Sequence, residues 1–470
     1  MRYDLVIIGM GSAGMVASEF AATLDLRVAI VERHRPGGDC LWTGCVPSKA
    51  LIASAKAAHH VRNAHRFGIG AAEPDIDTVA VWQRIRDVRL QVATTDDDPD
   101  RFRALGIDVV LGDATVVGPK QVRVVADDGH TVVLDTRFVL LATGSRPAVP
   151  ALPGLVEAGF LSSESLFELE RPPRSLVIIG GGPIAVEIAQ SFRRLAIPVT
   201  VLQKGPRLMP RDEPELVDEL TRTLVDEGVE VCLGVTTERV TVEGPRKVVH
   251  GTHAGTPARW EADEIMVAAG RTANVEGLGL DALGIACSPH GVEIDQRGRT
   301  KVRTVYAAGD VVGRSLFTHA AGYEGVLAVR DAFFPGSGKV TGLIPWCTFS
   351  DPELAHAGST VAEARARHGD DVEVRRIELV HNDRARTDGA TTGTIVIVSA
   401  KGRLVGAHIL APAAGEMIHE LALAICHQMK LTDVASLVHV YPTVSTGIGQ
   451  LAAEAGYERA RRLRWLVRKG

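Results

Sequence analysis

The sequence predicts an α/β fold in three parts: two doubly wound parallel-sheet units and an α+β unit at the C-terminal end. Three observations predict it. An apolar run passes into a glycine-rich turn and then a helical stretch at residues 4–32, and the same grammar recurs at 175–204. Beyond residue 341 the pattern changes to strand-rich segments followed by an apolar-faced helix. The 470 residues are too many for one core and set a prior of about three domains.

Composition narrows the class. Hydrophobic content of 46% and charged content of 23% are those of an ordinary globular protein. A net charge of −5 argues against a nucleic-acid binder. Six cysteines (40, 45, 232, 287, 347 and 426) are too few and too scattered for a secreted disulfide framework, which predicts a reducing, cytoplasmic setting. The N-terminal MRYDLVIIGMG enters a strand pattern at once and leaves no room for a signal peptide. No apolar run approaches the ~18 residues that a membrane span needs.

In the first unit, DLVIIG (4–9) is a continuous apolar run, as a parallel strand covered on both faces requires. The turn GMGSAG follows, with Gly9, Gly11 and Gly14 around Ser12 and Ala13. Glycines at this spacing permit a tight turn, close approach of backbone N–H groups to a pyrophosphate, and helix-on-strand packing. The helix N-terminus then favours the negative charge. A second strand, LRVAIVE, ends at Glu32, 23 residues past Gly9, where an acid accepts hydrogen bonds from a ribose. Strand, turn, helix, strand and acid in register predict a dinucleotide.

In the second unit, SLVIIGGGPIAVEIAQ places Gly180 and Gly182 before Pro183 and Ile184, with Ala185 in the third glycine's place. Two such turns imply two dinucleotides, and an enzyme that binds both passes electrons between them. The second strand ends on Gln203 and Lys204, with Arg207 nearby. An acid there would repel a 2′-phosphate; a glutamine and two cations would accept one. The reading leans to NADPH over NADH, with solvated loop charges as the plainer alternative.

Residues 37–51, GGDCLWTGCVPSKAL, carry Cys40 and Cys45 with four residues between them. This matches neither the paired ligand spacing of zinc sites nor the two-residue spacing of thioredoxin-like motifs, and no metal site is predicted. Cys45 and VPSK read as the start of a helix, where the positive dipole end lowers a thiol pKa.

Taken together, these features resemble the pyridine nucleotide–disulfide oxidoreductases. The resemblance covers essentially the whole chain. It includes LLATGSRP (140–147), the second turn's helix through Glu187, VAAGR (267–271), VYAAGD (305–310) and TFSDPELAHAG (348–358). It implies FAD on the first unit and NAD(P)H on the second. Cys40 and Cys45 would be a redox-active disulfide against the flavin, Cys45 stabilised as a thiolate and Cys40, on a preceding turn, free for exchange. Lys49 would pair with Glu187 beside the flavin. Asp310 would hold the ribityl chain, and the helix starting near Thr318 and His319 would aim its N-terminus at the flavin's pyrimidine edge. Gly38, Ala114, Thr143, Gly144, Gly270 and Gly309 complete the implied cofactor contacts. The region after 341 would form a homodimer whose active site needs both subunits.

The chain departs from that family in three places. Thiol-directed members carry a C-terminal His-Pro-Thr-x-Ser-Glu; here HVYPTVST puts Tyr441 for the histidine and Thr446 for the glutamate. A tyrosine, with pKa ~10, is a poor proton shuttle near neutrality. His439 lies two residues earlier and on an extended chain would face the same side. The C-terminal YERARRLRWLVRKG lacks the cysteine pair of mercuric reductases. Pro183 stands where disulfide reductases often place an aromatic.

The expected parts are 1–150 and 273–340 for the FAD-binding region, 151–272 for the NAD(P)-binding domain and 341–470 for dimerisation. Residues 76–105 read as helical, broken by TDDDPD. The tail from Arg459 to Lys469 carries six cations with Leu463, Trp465, Leu466 and Val467 between them. It reads as a solvated helix end, the alternative being contact with an anionic membrane surface. The leading functional expectation is electron flow from NAD(P)H through FAD and Cys40–Cys45 to a small disulfide, thiol conjugate or metal ion. Two others stay open: a quinone reductase that bypasses the cysteines, and a redox-sensing or complex-component flavoprotein.

Overall fold

The structure is a computed structural model that describes residues 2–70, 72–334 and 342–466. The first sheet is built around the apolar strand Arg2–Ile8, which pairs in parallel with Val28–Glu32 and with Thr131–Leu141. Asp108–Leu111 extends it beyond Val28–Glu32. Thr131–Leu141 is long enough to do two jobs. Its first half continues an antiparallel meander from Asp113–Gly118 and Gln121–Val125. Its second half also pairs in parallel with Val305–Ala307, so the chain returns to this sheet after the second unit.

The second sheet runs Glu230–Leu233, Val199–Gln203, Leu176–Ile179, Glu264–Val267, all in parallel. LVII at 176–179 is buried at every position, as the unalternating pattern requires. An antiparallel sheet of Thr236–Glu243, Arg246–His253 and Thr256–Ala262 lies beside it. The third unit is a five-stranded antiparallel sheet centred on Arg403–Ala411 and Glu353–Gly358, covered by the helix Ala414–Cys426.

Local signals explain the breaks. The stretch 76–105 forms helices Thr78–Ala93 and Pro99–Ala104, separated where Asp98 caps the second helix ahead of Pro99. The basic C-terminal segment is a continuation of the helix Thr446–Arg462 followed by a turn at Arg464–Leu466. Val467 and Lys469, which complete the basic tail, lie outside the described residues. Among the described residues no helix is long and apolar enough to cross a membrane.

Candidate active site

In the first turn, Gly9 has φ +106°, and a Cβ there would stand 2.3 Å from the Ala142 carbonyl oxygen. A Cβ on Gly14 would meet the Gly9 carbonyl oxygen at 2.0 Å, so the third glycine is what lets helix and turn touch. Gly38 faces Gly11 across the same cradle, where a Cβ would come 2.8 Å from the Gly11 Cα. Helix Ser12–Ala22 has no side-chain cap, which leaves its N-terminal N–H groups available to an anion. The Glu32 carboxylate accepts from the Met10 and His34 N–H groups at 2.9 and 2.8 Å. Gly112 N–H donates to the Glu32 carbonyl at 2.9 Å and leads into the strand that carries Ala114.

The far end of this cradle was only partly legible. The Thr143 hydroxyl donates to the Asn274 carbonyl at 2.7 Å, and Gly144 beside it has φ +69°. Asp310 accepts from Ser145 Oγ at 2.7 Å and lies 3.5 Å from the Arg271 guanidinium, which also bonds Asp39. Burial raises the Asp310 pKa, opposed by the Ser145 hydrogen bond and Arg271. Gly309 N–H donates to the buried Glu324 at 2.9 Å. Arg271, the last residue of VAAGR, was given no role from the sequence and Glu324 was not singled out, because no motif spacing links either to Asp310. A backbone-lined cradle, an uncapped helix and a ribose-side acid fit FAD.

In the second turn Gly180 has φ +122° and lies against the Ala268 carbonyl oxygen, 2.2 Å from where its Cβ would be. A Cβ on Gly182 would meet nothing within 4 Å, so the helix that opens with Pro183 and Ile184 faces open space. Gly270, φ +124°, borders the same end of the sheet. This cradle fits a nicotinamide dinucleotide. Gln203 donates to the Arg207 carbonyl at 3.0 Å. Arg207 does not match its expectation as a free phosphate clamp: Asp218 holds its guanidinium by two bonds, of 2.7 and 3.1 Å. Lys204 is exposed and makes no ion pair among the described residues.

The cysteines lie at the junction of the units. Cys45 is the first residue of helix Cys45–Asn63, and Cys40 lies in a short helix, Gly38–Trp42, rather than on an open turn. Both are free thiols, Cys45 exposed and Cys40 half-buried. The hydrogen bond between them lowers the Cys45 pKa from 9.0 to about 6; burial opposes this, while Thr318 and the Lys49 charge assist. The same bond, with burial, pushes the Cys40 thiol far upward. Thr318, the first residue of helix Thr318–Phe333, places its hydroxyl 3.3 Å from Cys45 Sγ. Lys49 Nζ donates to both Glu187 oxygens at 2.9 and 3.1 Å, joining the first unit to the second.

The C-terminal segment corrects one expectation. His439 and Tyr441 do not share a side. The His439 side chain is 9% exposed and its Nε2 lies 3.1 Å from Glu420 on helix Ala414–Cys426. Tyr441 is 71% exposed, and its hydroxyl donates to Asp383 at 3.0 Å. That bond raises the tyrosine's pKa, further from a neutral-pH proton shuttle. Alternation across a backbone holds in paired strands, and residues 438–443 belong to none.

Two dinucleotide cradles meeting at a thiol pair define a flavoprotein oxidoreductase driven by a pyridine nucleotide. Residues 3–325 match the pyridine nucleotide-disulphide oxidoreductase family and residues 344–452 its dimerisation domain. The chain belongs to that family. It is 32% identical to the dihydrolipoyl dehydrogenase of Bacillus subtilis (strain 168), over 97% of this chain and 98% of that one. It is 32% identical to the mercuric reductase of Bacillus cereus, over 95% of this chain and 70% of that protein. Among solved structures it superposes, with TM-score 0.85 and 25% identity, on a Cu(II) complex of the HOCl-induced flavoprotein disulfide reductase RclA from Escherichia coli. The match covers 96% of this chain and 99% of that one. The chain is an FAD-dependent NAD(P)H oxidoreductase of the disulfide-reductase type, and the dimerisation domain supports a homodimer.

Proposed function

We propose that Cys40 and Cys45 are the redox pair, that NADPH is the preferred reductant, and that the acceptor is a small disulfide, a thiol conjugate or a metal ion. FAD, when bound, takes a hydride from the nicotinamide and supplies two electrons to a disulfide. The chain's residues arrange the sulfur side. Reducing a Cys40–Cys45 disulfide at neutral pH consumes two electrons and one proton and leaves a thiolate and a thiol that share that proton. The helix N-terminus, Thr318 and Lys49 favour the anion on Cys45, so the proton rests on Cys40. Returned along the S–H···S bond, that proton frees Cys40 to attack an acceptor disulfide. A Cys40–acceptor S–S bond then forms and one acceptor thiol leaves. Cys45 next attacks the Cys40 sulfur, restoring the internal disulfide and releasing the second thiol.

The observation that carries this reading is geometric: Cys45 is the first residue of its helix, 3.3 Å from the Thr318 hydroxyl, with Cys40 in the short helix just before it. Cys45→Ser tests it. Anaerobic NADPH titration of the parent should produce a long-wavelength thiolate–flavin absorbance that the variant lacks, with disulfide and metal-ion turnover lost. Full turnover in the variant would remove the cysteines from the reaction.

Tyr441 favours a second reading, since its hydroxyl is tied to Asp383 and no free imidazole stands in its place. Quinone reduction needs no thiol proton shuttle. It predicts quinone activity that survives Cys45→Ser. Outside the Cys40–Cys45 pair the cysteines are scattered and few, which supports a cytoplasmic, reducing setting. The exposed Trp465 and basic helix end support a solvated terminus, with membrane contact as the alternative.

A further inference from the structure

The Lys49–Glu187 pair has a third member. One face of helix Pro183–Arg194 grips a short segment of the C-terminal unit at three successive turns. Glu187 Oε1 accepts from the Phe349 backbone N–H at 2.9 Å. Gln190 exchanges two bonds of 2.8 Å with the Asp351 backbone, and Arg194 reaches the Asp351 carboxylate at 2.8 Å. Positions 187, 190 and 194 lie on one helix stripe, so the segment is fixed in register against it. This grip places the Phe349 ring 4.4 Å below Lys49 Nζ. The ammonium thus lies between an aromatic face and a carboxylate, although the lysine side chain is 36% exposed.

We propose that Phe349 is a positioning residue: its ring confines the Lys49 ammonium beside Glu187 and so sets the charge felt by the Cys45 sulfur. An aromatic face attracts a cation without neutralising it. A carboxylate alone would hold Lys49 just as near but would offset its field. Glu187 does offset it, raising the Cys45 pKa while Lys49 lowers it. The remaining groups that act on Cys45 are the Cys40 thiol and the Thr318 hydroxyl, and Asp97 acts on Cys40. Among the described residues, the bonds and ring contacts of Phe349 go to Glu187 and Lys49 and to none of these. The ring therefore acts through Lys49.

This inference rests on reading Cys45 as the low-pKa redox thiol, and one experiment separates the two. The FAD-loaded enzyme is reduced with dithiothreitol, freed of reductant, and alkylated with iodoacetamide over a pH series, with Cys45 modification mapped by mass spectrometry. The parent should show half-maximal alkylation near pH 6. A midpoint near the ordinary thiol value instead would overturn the reading of the site itself. Phe349→Leu should raise the midpoint by about one unit, about tenfold less thiolate at low pH. Phe349→Met should do the same, and Phe349→Tyr should retain the parent value. In a Lys49→Met background, Phe349→Leu should shift nothing further, whereas a general packing defect would shift both backgrounds. A parent-like midpoint in both ring-free variants, or an equal shift without Lys49, overturns the role of Phe349.

Discussion

In the first nucleotide-binding unit the strand after the glycine turn ends on Glu32, whose carboxylate accepts two backbone N–H groups. In the second it ends on Gln203, whose amide donates to the Arg207 carbonyl. The turns differ in packing as well. Gly14 cannot carry a Cβ without striking the Gly9 carbonyl oxygen at 2.0 Å, whereas the equivalent Ala185 is accommodated and fully buried. Backbone geometry thus shapes the glycine turn in both units, while the strand that follows ends on an acid in the first and a neutral amide in the second.

The largest expected effect breaks the first half of this comparison. Gly9→Ala puts a Cβ 2.3 Å from a carbonyl oxygen at φ +106°. It should cost ~3 kcal/mol or more and yield protein that fails to retain FAD, read from flavin absorbance after gel filtration. Gly182→Ala faces open space. It should leave the melting temperature and FAD content unchanged while raising the KM for NADPH about tenfold, about 1.4 kcal/mol. Equal loss of stability in both variants would show that the second turn is not an open cradle.

This contrast also explains what the sequence made legible. Glycine positions follow from backbone sterics within a few residues, so the two turns, the cysteine helix and the apolar strands could be read along the chain. The Lys49–Glu187 junction was reached only through the resemblance. Contacts set by tertiary packing were not readable. Arg207 with Asp218, His439 with Glu420, Tyr441 with Asp383 and Phe349 with Glu187 join residues 11 to 162 positions apart, and no local period encodes them. His439 and Tyr441 show this most plainly, because their segment is held straight by no ladder and strand alternation does not govern it.

Charge at the second ribose end gives the next effect. Gln203→Glu should install the acid that the first unit carries at Glu32. Losing or gaining a charged hydrogen bond is worth about 1.5–3 kcal/mol. The ratio of kcat/KM for NADH over NADPH should therefore rise roughly 10- to 150-fold. An unchanged ratio would mean that position 203 does not face the 2′ group.

Between the units the effect is smaller and depends on pH. The Cys45 pKa lies below its ordinary 9.0, so the thiolate is present above about pH 6 and is lost as pH falls through that value. Charge-transfer absorbance of the reduced enzyme should follow that curve. Lys49, from the first unit, lowers this pKa and Glu187, from the second, raises it. Glu187→Gln should shift the curve to lower pH, and a shift to higher pH would place Glu187 elsewhere than beside this sulfur.

The smallest effects separate two cations that the sequence treats alike. Lys204 is exposed and makes no ion pair among the described residues, so it is available to a 2′-phosphate. Arg207 is already occupied by both oxygens of Asp218. Lys204→Ala should raise the KM for NADPH about fivefold at low ionic strength, less in high salt, and leave NADH unchanged. Arg207→Ala should alter either value by no more than roughly twofold, as exposed pairs contribute little. The reverse order would mean that Arg207 leaves Asp218 when the nucleotide binds.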